Sequence, residues 1–301
     1  MLENKTRKAG FVAIVGKPNA GKSTLMNAII GSKLSIITPK PQTTRKKVLG
    51  IYTENNTQIV FLDTPGLLKP KYEMQKSMME YVDSALTSSD VLAVILDIQK
   101  IDLQKPVFPK IILESIEKVK IPKILILNKV DLIQEKKQIL PAMFAFDSLK
   151  IFDEIIPLSA SENDNTDALI QTIEKFLPEN EFYYDEDLLS TQPQKFFVSE
   201  IIRENIFMEF EEEIPYSTEV HIVEFKEHES GKWYISAEII VERDTQKAII
   251  IGKKGTKLKD VGEKSRFAIE EYLEQGIFLE LFVKVRHKWR NNKSNLKFYG
   301  Y

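Results

Sequence analysis

Cysteine is absent from the 301 residues, which excludes disulfides and thiolate metal sites. Histidine is scarce: His221, His228 and His287 stand at scattered spacings that do not make a zinc site. No apolar run approaches the roughly 18 residues needed to cross a bilayer. The best, Val91 to Leu96, has the size of a strand. An excess of charge of one sign is missing too. With 42 Lys and Arg against 44 Asp and Glu the formal net charge is −2, so any nucleic-acid role must come from local clusters. The polar, basic start from Met1 to Gly10 is followed by no signal-peptide core. These absences point to the cytosol.

What is present suits a globular chain, with 43% hydrophobic and 29% charged residues and length enough for two domains. Up to about residue 178, short apolar runs alternate with amphipathic stretches. Phe11 to Val15, Ile59 to Leu62, Val91 to Leu96, Ile124 to Leu127 and Ile155 to Pro157 are near-continuous apolar segments. Such runs read as strands buried on both faces of a parallel sheet. Between them the pattern predicts helices over Lys22 to Ile30, Tyr72 to Leu86, Phe108 to Val119, Glu135 to Phe146 and Asn165 to Phe176. Lys47 to Tyr52 adds an antiparallel edge strand, for about six strands in a doubly wound α/β domain.

Residues 179–194 break this rhythm with Pro178 before them, five acidic residues and Pro193, and read as a linker between domains 1–178 and 195–301. The second domain has another grammar. A helix over Gln194 to Met208 precedes alternating strands at Thr218 to Phe225 and Trp233 to Val241. A short helix near Gln246, a turn at Gly252 to Gly255, a helix over Thr256 to Glu274 and a strand from Phe278 to Val285 complete a small α+β unit with a basic tail.

Gly16-Lys17-Pro18-Asn19-Ala20-Gly21-Lys22-Ser23 directly follows a predicted strand and opens a predicted helix, the context a phosphate loop requires. The glycines let successive backbone amides point at phosphate oxygens, and the helix N-terminus adds its positive end. Lys22 would reach the β and γ phosphates, and Ser23 would ligate Mg²⁺. About forty residues on, Asp63-Thr64-Pro65-Gly66 ends the next long strand. There Asp63 would hold Mg²⁺ through water and the Gly66 amide would donate to the γ phosphate.

Asn128-Lys129-Val130-Asp131 ends a further strand. A carboxylate at Asp131 matches the paired donors of guanine, which adenine lacks. Asn128 would tie the base site to the phosphate loop, and Lys129 would cover the base with its stem. Ser159 and Ala160, after the last strand, supply a backbone amide for guanine O6. In the segment Ser35 to Arg45, Thr43 and Thr44 are candidates for a switch threonine that reaches Mg²⁺ when GTP is bound; Thr43 is favoured.

Leu67 occupies the position after Gly66, and a leucine cannot orient an attacking water as a glutamine does there in Ras-like enzymes. Electrostatic catalysis by Lys22, Asn19, Thr43 and Gly66 is the alternative. The form G-x-P-N-x-G-K-S resembles that of GTPases in which the asparagine helps hold a potassium ion against the phosphates. The other role open to Asn19 is to stabilise the turn.

In the second domain, Ile251 leads into Gly252-Lys253-Lys254-Gly255, a G-x-x-G turn of the kind that lets a nucleic-acid backbone approach. Arg243 to Arg266 holds eight basic and three acidic residues, Lys257 among them. Lys284 to Tyr301 holds six basic residues, including Lys284, Arg286 and Lys288, and no acidic ones, with Trp289, Phe298 and Tyr299 interleaved. Basic residues mixed with aromatics suit single-stranded RNA. A docking or dimerisation domain with a solvated basic face is the competing reading.

Taken together, these motifs resemble the bacterial Era GTPases along nearly the whole chain. Supporting strings are Pro41-Gln42-Thr43-Thr44-Arg45, Ser199-Glu200-Ile201-Ile202-Arg203-Glu204, Leu281 to Val285 and Trp289. The resemblance implies a P-loop GTPase domain followed by a KH domain of the bacterial type (type II). It further implies binding of the 3′ end of 16S rRNA and assistance in 30S subunit assembly, in a cytosolic protein partly associated with the inner face of the membrane. Two alternatives stay open: a GTP-regulated RNA-binding protein with negligible hydrolysis, and a GTPase acting on tRNA modification or membrane traffic.

Overall fold

The computed structural model describes residues 6–301, so the basic start at residues 1–5 lies outside the described residues. The chain divides into two compact units. The first comprises the residues up to Ser35, Thr44–Pro70 and Met78–Thr191; the second comprises Ile36–Thr43, Lys71–Ser77 and Gln192–Tyr301.

In the first unit a six-stranded sheet runs in the order β2-β3-β1-β4-β5-β6. Its strands are β1 (Lys8–Gly16), β2 (Val48–Glu54), β3 (Thr57–Asp63), β4 (Val91–Asp97), β5 (Lys123–Asn128) and β6 (Glu154–Leu158). All neighbours are parallel except β2, which pairs antiparallel with β3 at the edge. β3 and β4 are buried at every position, which is why their sequences are continuous rather than alternating. The helices are α1 (Lys22–Ile30), α2 (Glu73–Ser88), α3 (Lys110–Ile116), α4 (Ile139–Asp147) and α5 (Thr166–Phe176). The core joins Val15, Leu62, Leu92, Val94, Leu125 and Leu127 to Val82 of α2, Ile112 of α3 and Ala142 and Phe146 of α4.

Helix ends differ from the sequence reading where local chemistry intervenes. α4 starts at Ile139, not Glu135, after a 3-10 turn over Lys136–Gln138. Pro141 can sit only in the first turn of a helix, so the regular helix begins just before it. The acidic stretch expected as a linker is partly held. Gln58, fully buried, receives the Tyr183 amide at 2.8 Å and donates to the Tyr184 carbonyl at 2.9 Å. The Ile51 amide donates to the Leu189 carbonyl at 2.8 Å and the Ser190 hydroxyl to that of Leu49 at 2.6 Å.

The second unit places α6 (Gln194–Glu209), α7 (Ile214–Ser217), α8 (Asp244–Ile251) and α9 (Thr256–Leu273) with a three-stranded sheet of order β7-β8-β9. β7 (Glu219–Lys226) is antiparallel to β8 (Trp233–Val241), and β9 (Ile277–Val285) is parallel to β8. Val198, Ile202 and Ile206 of α6, Ile250 of α8, and Val261 and Ile269 of α9 bury against Ile235, Ala237, Ile239 and Val283 of the sheet. The basic tail is folded. Trp289 is fully buried and donates its indole N–H to the Ser217 carbonyl at 2.9 Å, and a short helix α10 (Lys293–Phe298) follows. Trp289 and Tyr299 are core aromatics rather than free stacking surfaces; Phe298, 66% exposed, is the member of the three that faces solvent.

Candidate guanine-nucleotide site and RNA groove

The phosphate loop is shaped by contacts that only glycine permits. Gly21 caps α1 at φ 101°, and a Cβ there would meet the Asn128 amide nitrogen at 2.1 Å. At Gly16 a Cβ would meet the Ile95 carbonyl oxygen at 2.4 Å. Asn19 takes the left-handed conformation, φ 60°, which asparagine tolerates better than most residues. Lys22 is 5% exposed. Its ammonium donates to the loop's own carbonyls, Lys17 at 3.2 Å and Gly16 at 3.5 Å. Burial pulls the Lys22 pKa down to about 8, with Asp63 acting in the opposite sense. A buried cation with carbonyl partners suits an incoming phosphate, whose charge offsets that desolvation.

The Asp63–Gly66 turn is fastened to this loop. The Thr64 hydroxyl donates to the Ile14 carbonyl at 2.7 Å, and the Leu67 amide to the Gly16 carbonyl at 2.9 Å. Gly66 lies so close to Pro18 that a Cβ would sit 2.6 Å from the proline nitrogen. Leu67, 6% exposed, is part of the apolar core with Ala13, Val15 and Leu62. A side chain committed there does no work on a water.

Ser23, Thr44 and Asp63 converge. The Ser23 hydroxyl donates to Asp63 Oδ2 at 2.8 Å and lies 2.7 Å from the Thr44 hydroxyl. Asp63 is fully buried, burial raises its pKa, and its Oδ1 has no hydrogen-bond partner in the structure. Three hard oxygens with one buried carboxylate oxygen unsatisfied fit Mg²⁺. The threonine here is Thr44, not the favoured Thr43. The Thr43 hydroxyl is committed elsewhere, 2.7 Å from that of Thr38 and 2.8 Å from the Lys40 carbonyl. Two adjacent threonines in irregular chain point in different directions, and sequence spacing cannot rank them.

At the base end, Asn128 is a clamp. Its amide N–H donates to the Ala20 carbonyl at 2.8 Å, and its Oδ1 receives the Ala160 amide at 3.0 Å. Ser159 is buried and pairs backbone to backbone with Asp164. Val130 is buried in the core, whereas Asp131 is exposed on the short turn Val130–Leu132. Lys129 adopts φ 70° and donates to Asp97 Oδ2 at 2.8 Å. Asp97 is the residue the motifs missed; its place opposite Asn128 in the β4–β5 pair emerges only from the fold.

In the second unit Gly252 and Gly255 have φ 71° and 79°, and Lys254 between them φ 53°. The turn exposes Lys253 and Lys254 and continues into α9, while Ile251 before it is half-buried. Beside it a groove of about 390 Å³ is lined by Gly255, Leu258, Lys259, Gly262, Glu263 and Arg266 of the turn and α9, and by Leu279 and Leu281 of β9, so one carboxylate stands among its basic groups. Those α9 residues recur at helical spacing after Gly255, a legible stripe once the helix is known. Lys257 lies with its ammonium 5.3 Å from the Phe210 ring centroid. Lys284 pairs with Glu238 at 2.6 Å, so its charge is partly spent; Arg286 and Lys288 are exposed.

Comparison with known proteins agrees with both halves. Residues 11–129 match the family described as 50S ribosome-binding GTPase, and residues 213–290 match the KH domain. The GTPase Era of Geotalea daltonii is 45% identical, over 97% of each chain. A crystal structure of a single-substitution variant of Aquifex aeolicus Era bound to GDP·AlF4⁻ superimposes with TM-score 0.92 at 39% identity, covering 97% of this chain and 99% of that one. A crystal structure of Era in complex with MgGDPNP and nucleotides 1506–1542 of 16S rRNA gives TM-score 0.92 at 38% identity, covering 98% and 99%.

Proposed function

The chain belongs to the Era family of GTPases, and from that premise we propose that it is a GTP-operated switch that grips the 3′ end of 16S rRNA and assists assembly of the small ribosomal subunit. The observation that carries this reading is the presence, in one chain, of a guanine-nucleotide site clamped by Asn128 and a lysine-rich G-x-x-G turn opening onto a groove. The family description for residues 11–129 speaks of the large subunit. The small-subunit assignment rests instead on the KH unit and on the RNA held by the Era relative.

In the nucleotide site the loop amides and Lys22 would bind the phosphates, with the Gly66 amide at the γ position. Asp131, with Lys129 and the Ala160 amide, would bind guanine. Mg²⁺ would be held by the oxygens of Ser23, Thr44 and Asp63, and when bound it neutralises charge developing on the phosphates. Because Leu67 is buried in the core, water orientation falls to other groups. We assign to Asn19 the holding of a potassium ion beside the phosphates. No helix among the described residues is long and apolar enough to cross a membrane.

GTP turnover by the intact chain, with and without a 16S 3′-end fragment and in K⁺ or Na⁺, tests this. Turnover is expected to rise with the fragment, and to be about tenfold faster in K⁺, the effect of about 1.4 kcal/mol in the barrier. Indifference to the fragment would uncouple the two halves, and equal rates in the two salts would remove the ion.

A further inference from the structure

Three neighbouring strands of the first unit end at the candidate nucleotide site: β1 at Gly16, β4 at Asp97 and β5 at Asn128. β4 is the middle one. Gly16 stands opposite Ile95 in the β1–β4 pair, and Asp97 stands opposite Asn128 in the β4–β5 pair. Asp97 therefore lies between the phosphate loop and the base motif, at the carboxyl ends of parallel strands, where such sheets bind their ligands. Its side chain is 5% exposed and both of its oxygens are engaged. Oδ1 accepts the Gln99 amide at 3.1 Å and so caps the 3-10 turn Ile98–Lys100. Oδ2 accepts the Lys129 ammonium at 2.8 Å. Lys100 approaches the same oxygen only to 3.6 Å and is 62% exposed, so Lys129 is the hydrogen-bonded partner.

Lys129 takes the left-handed conformation, φ 70° and ψ 37°, at a cost that its surroundings must offset. Lysine also loses more rotamer freedom on ordering than most side chains. The Asp97 carboxylate removes that freedom in advance by pinning the ammonium at the far end of the flexible stem. A stem fixed at both ends is a surface ready for the face of a base, which then binds without ordering it. We propose that Asp97 is a positioning residue for the guanine site: it holds the Lys129 side chain where its stem covers the base. The proposal rests on the reading of Asn128 to Asp131 as that site. In it Lys129 serves the face of the base and Asp131 its edge. Asp97 therefore adds affinity without discriminating guanine from hypoxanthine, which differ in the exocyclic amine that Asp131 reads.

An aspartate that caps a turn also serves the fold, so the variant must keep the cap. Asp97→Asn does so, because asparagine caps as well as aspartate and only the charge is lost. Titration calorimetry of the intact chain with GDP and with inosine diphosphate gives two affinities, and a Lys129→Met background supplies the control. In Asp97→Asn both affinities are expected to fall about fivefold, the effect of ordering one long side chain on binding. Their ratio is expected to keep its wild-type value. In Lys129→Met, which has no ammonium to hold, the same change at Asp97 is expected to alter GDP affinity by less than about twofold. Asp97→Ser, another capping residue without charge, takes the place of Asp97→Asn if the latter does not fold. GDP affinity that is unchanged or tighter in the charge-free variant overturns the role of Asp97. So does a changed ratio of the two affinities, or an equal loss in the Lys129→Met background, either of which marks Asp97 as a residue of the fold alone. A wild type that binds GDP no better than ADP overturns the guanine-site reading, and the proposal with it. A guanine-selective wild type with an indifferent Asp97→Asn overturns the proposal and leaves that reading standing.

Discussion

Replacing Asp131 by asparagine is expected to weaken GTP binding about 10³-fold or more while opening the site to xanthosine triphosphate. A site built to satisfy a specific pair of hydrogen bonds rejects an analogue that cannot make them by about 10⁴, and each bond to a charged group contributes about 1.5–3 kcal/mol. Guanine offers N1–H and an exocyclic amine side by side, and only a group with two acceptor oxygens receives both. Asparagine turns one acceptor into a donor, which faces the guanine amine donor to donor. Xanthine carries a carbonyl where guanine carries the amine, so the same asparagine pairs with it. Asp131 is exposed and Val130 beside it carries the packing, so the change leaves the fold intact. Isothermal titration with both nucleotides reads the result; undiminished GTP binding would remove Asp131 from the base site.

Gly252→Asp is expected to lower affinity for a 16S 3′-end fragment about 100-fold, through two effects that each account for about a factor of ten. Gly252 sits at φ 71°, and a Cβ there would meet the Lys257 Cγ at 2.8 Å and its Cβ at 2.9 Å. The turn cannot keep its shape around that contact, since the Lys257 Cβ belongs to the rigid start of α9. The added carboxylate meanwhile repels the phosphates that Lys253 and Lys254 attract. Because strain and charge act together in this variant, Lys253→Glu/Lys254→Glu isolates the charge: it leaves both glycines untouched and is expected to weaken binding more steeply at low salt than at high salt. Fluorescence anisotropy with labelled RNA measures both variants. Unchanged affinity in both would return the second unit to the competing reading of a docking domain.

The shape of the candidate nucleotide site was largely legible in the sequence because its turns are made of contiguous backbone. Gly16 and Gly21 are demanded by approaches of 2.4 Å and 2.1 Å to neighbouring atoms, and a turn that tight leaves its mark as a fixed spacing of glycines. Asn128 likewise stands at a strand end, where the sheet order alone carries it to the loop. What spacing could not rank was Thr43 against Thr44, whose hydroxyls are assigned by contacts to Thr38 and to Ser23. Asp97 escaped because a buried aspartate at a strand end has no signature of its own; its meaning comes from the Lys129 ammonium beside it. Trp289 misled for the opposite reason. An indole among basic residues reads as an RNA platform, yet this one is buried and satisfied by the Ser217 carbonyl.

Coupling between nucleotide and RNA is the central claim, and it is a difference in binding free energy between two loaded states. Such coupling commonly spans about 5–150-fold and is reciprocal. The direct measurement is the affinity of the intact chain for the 16S 3′-end fragment, once with Mg²⁺ and a non-hydrolysable GTP analogue and once with GDP. Binding is expected to be at least about fivefold tighter in the GTP-like state. Equal affinities in the two states would contradict the coupling.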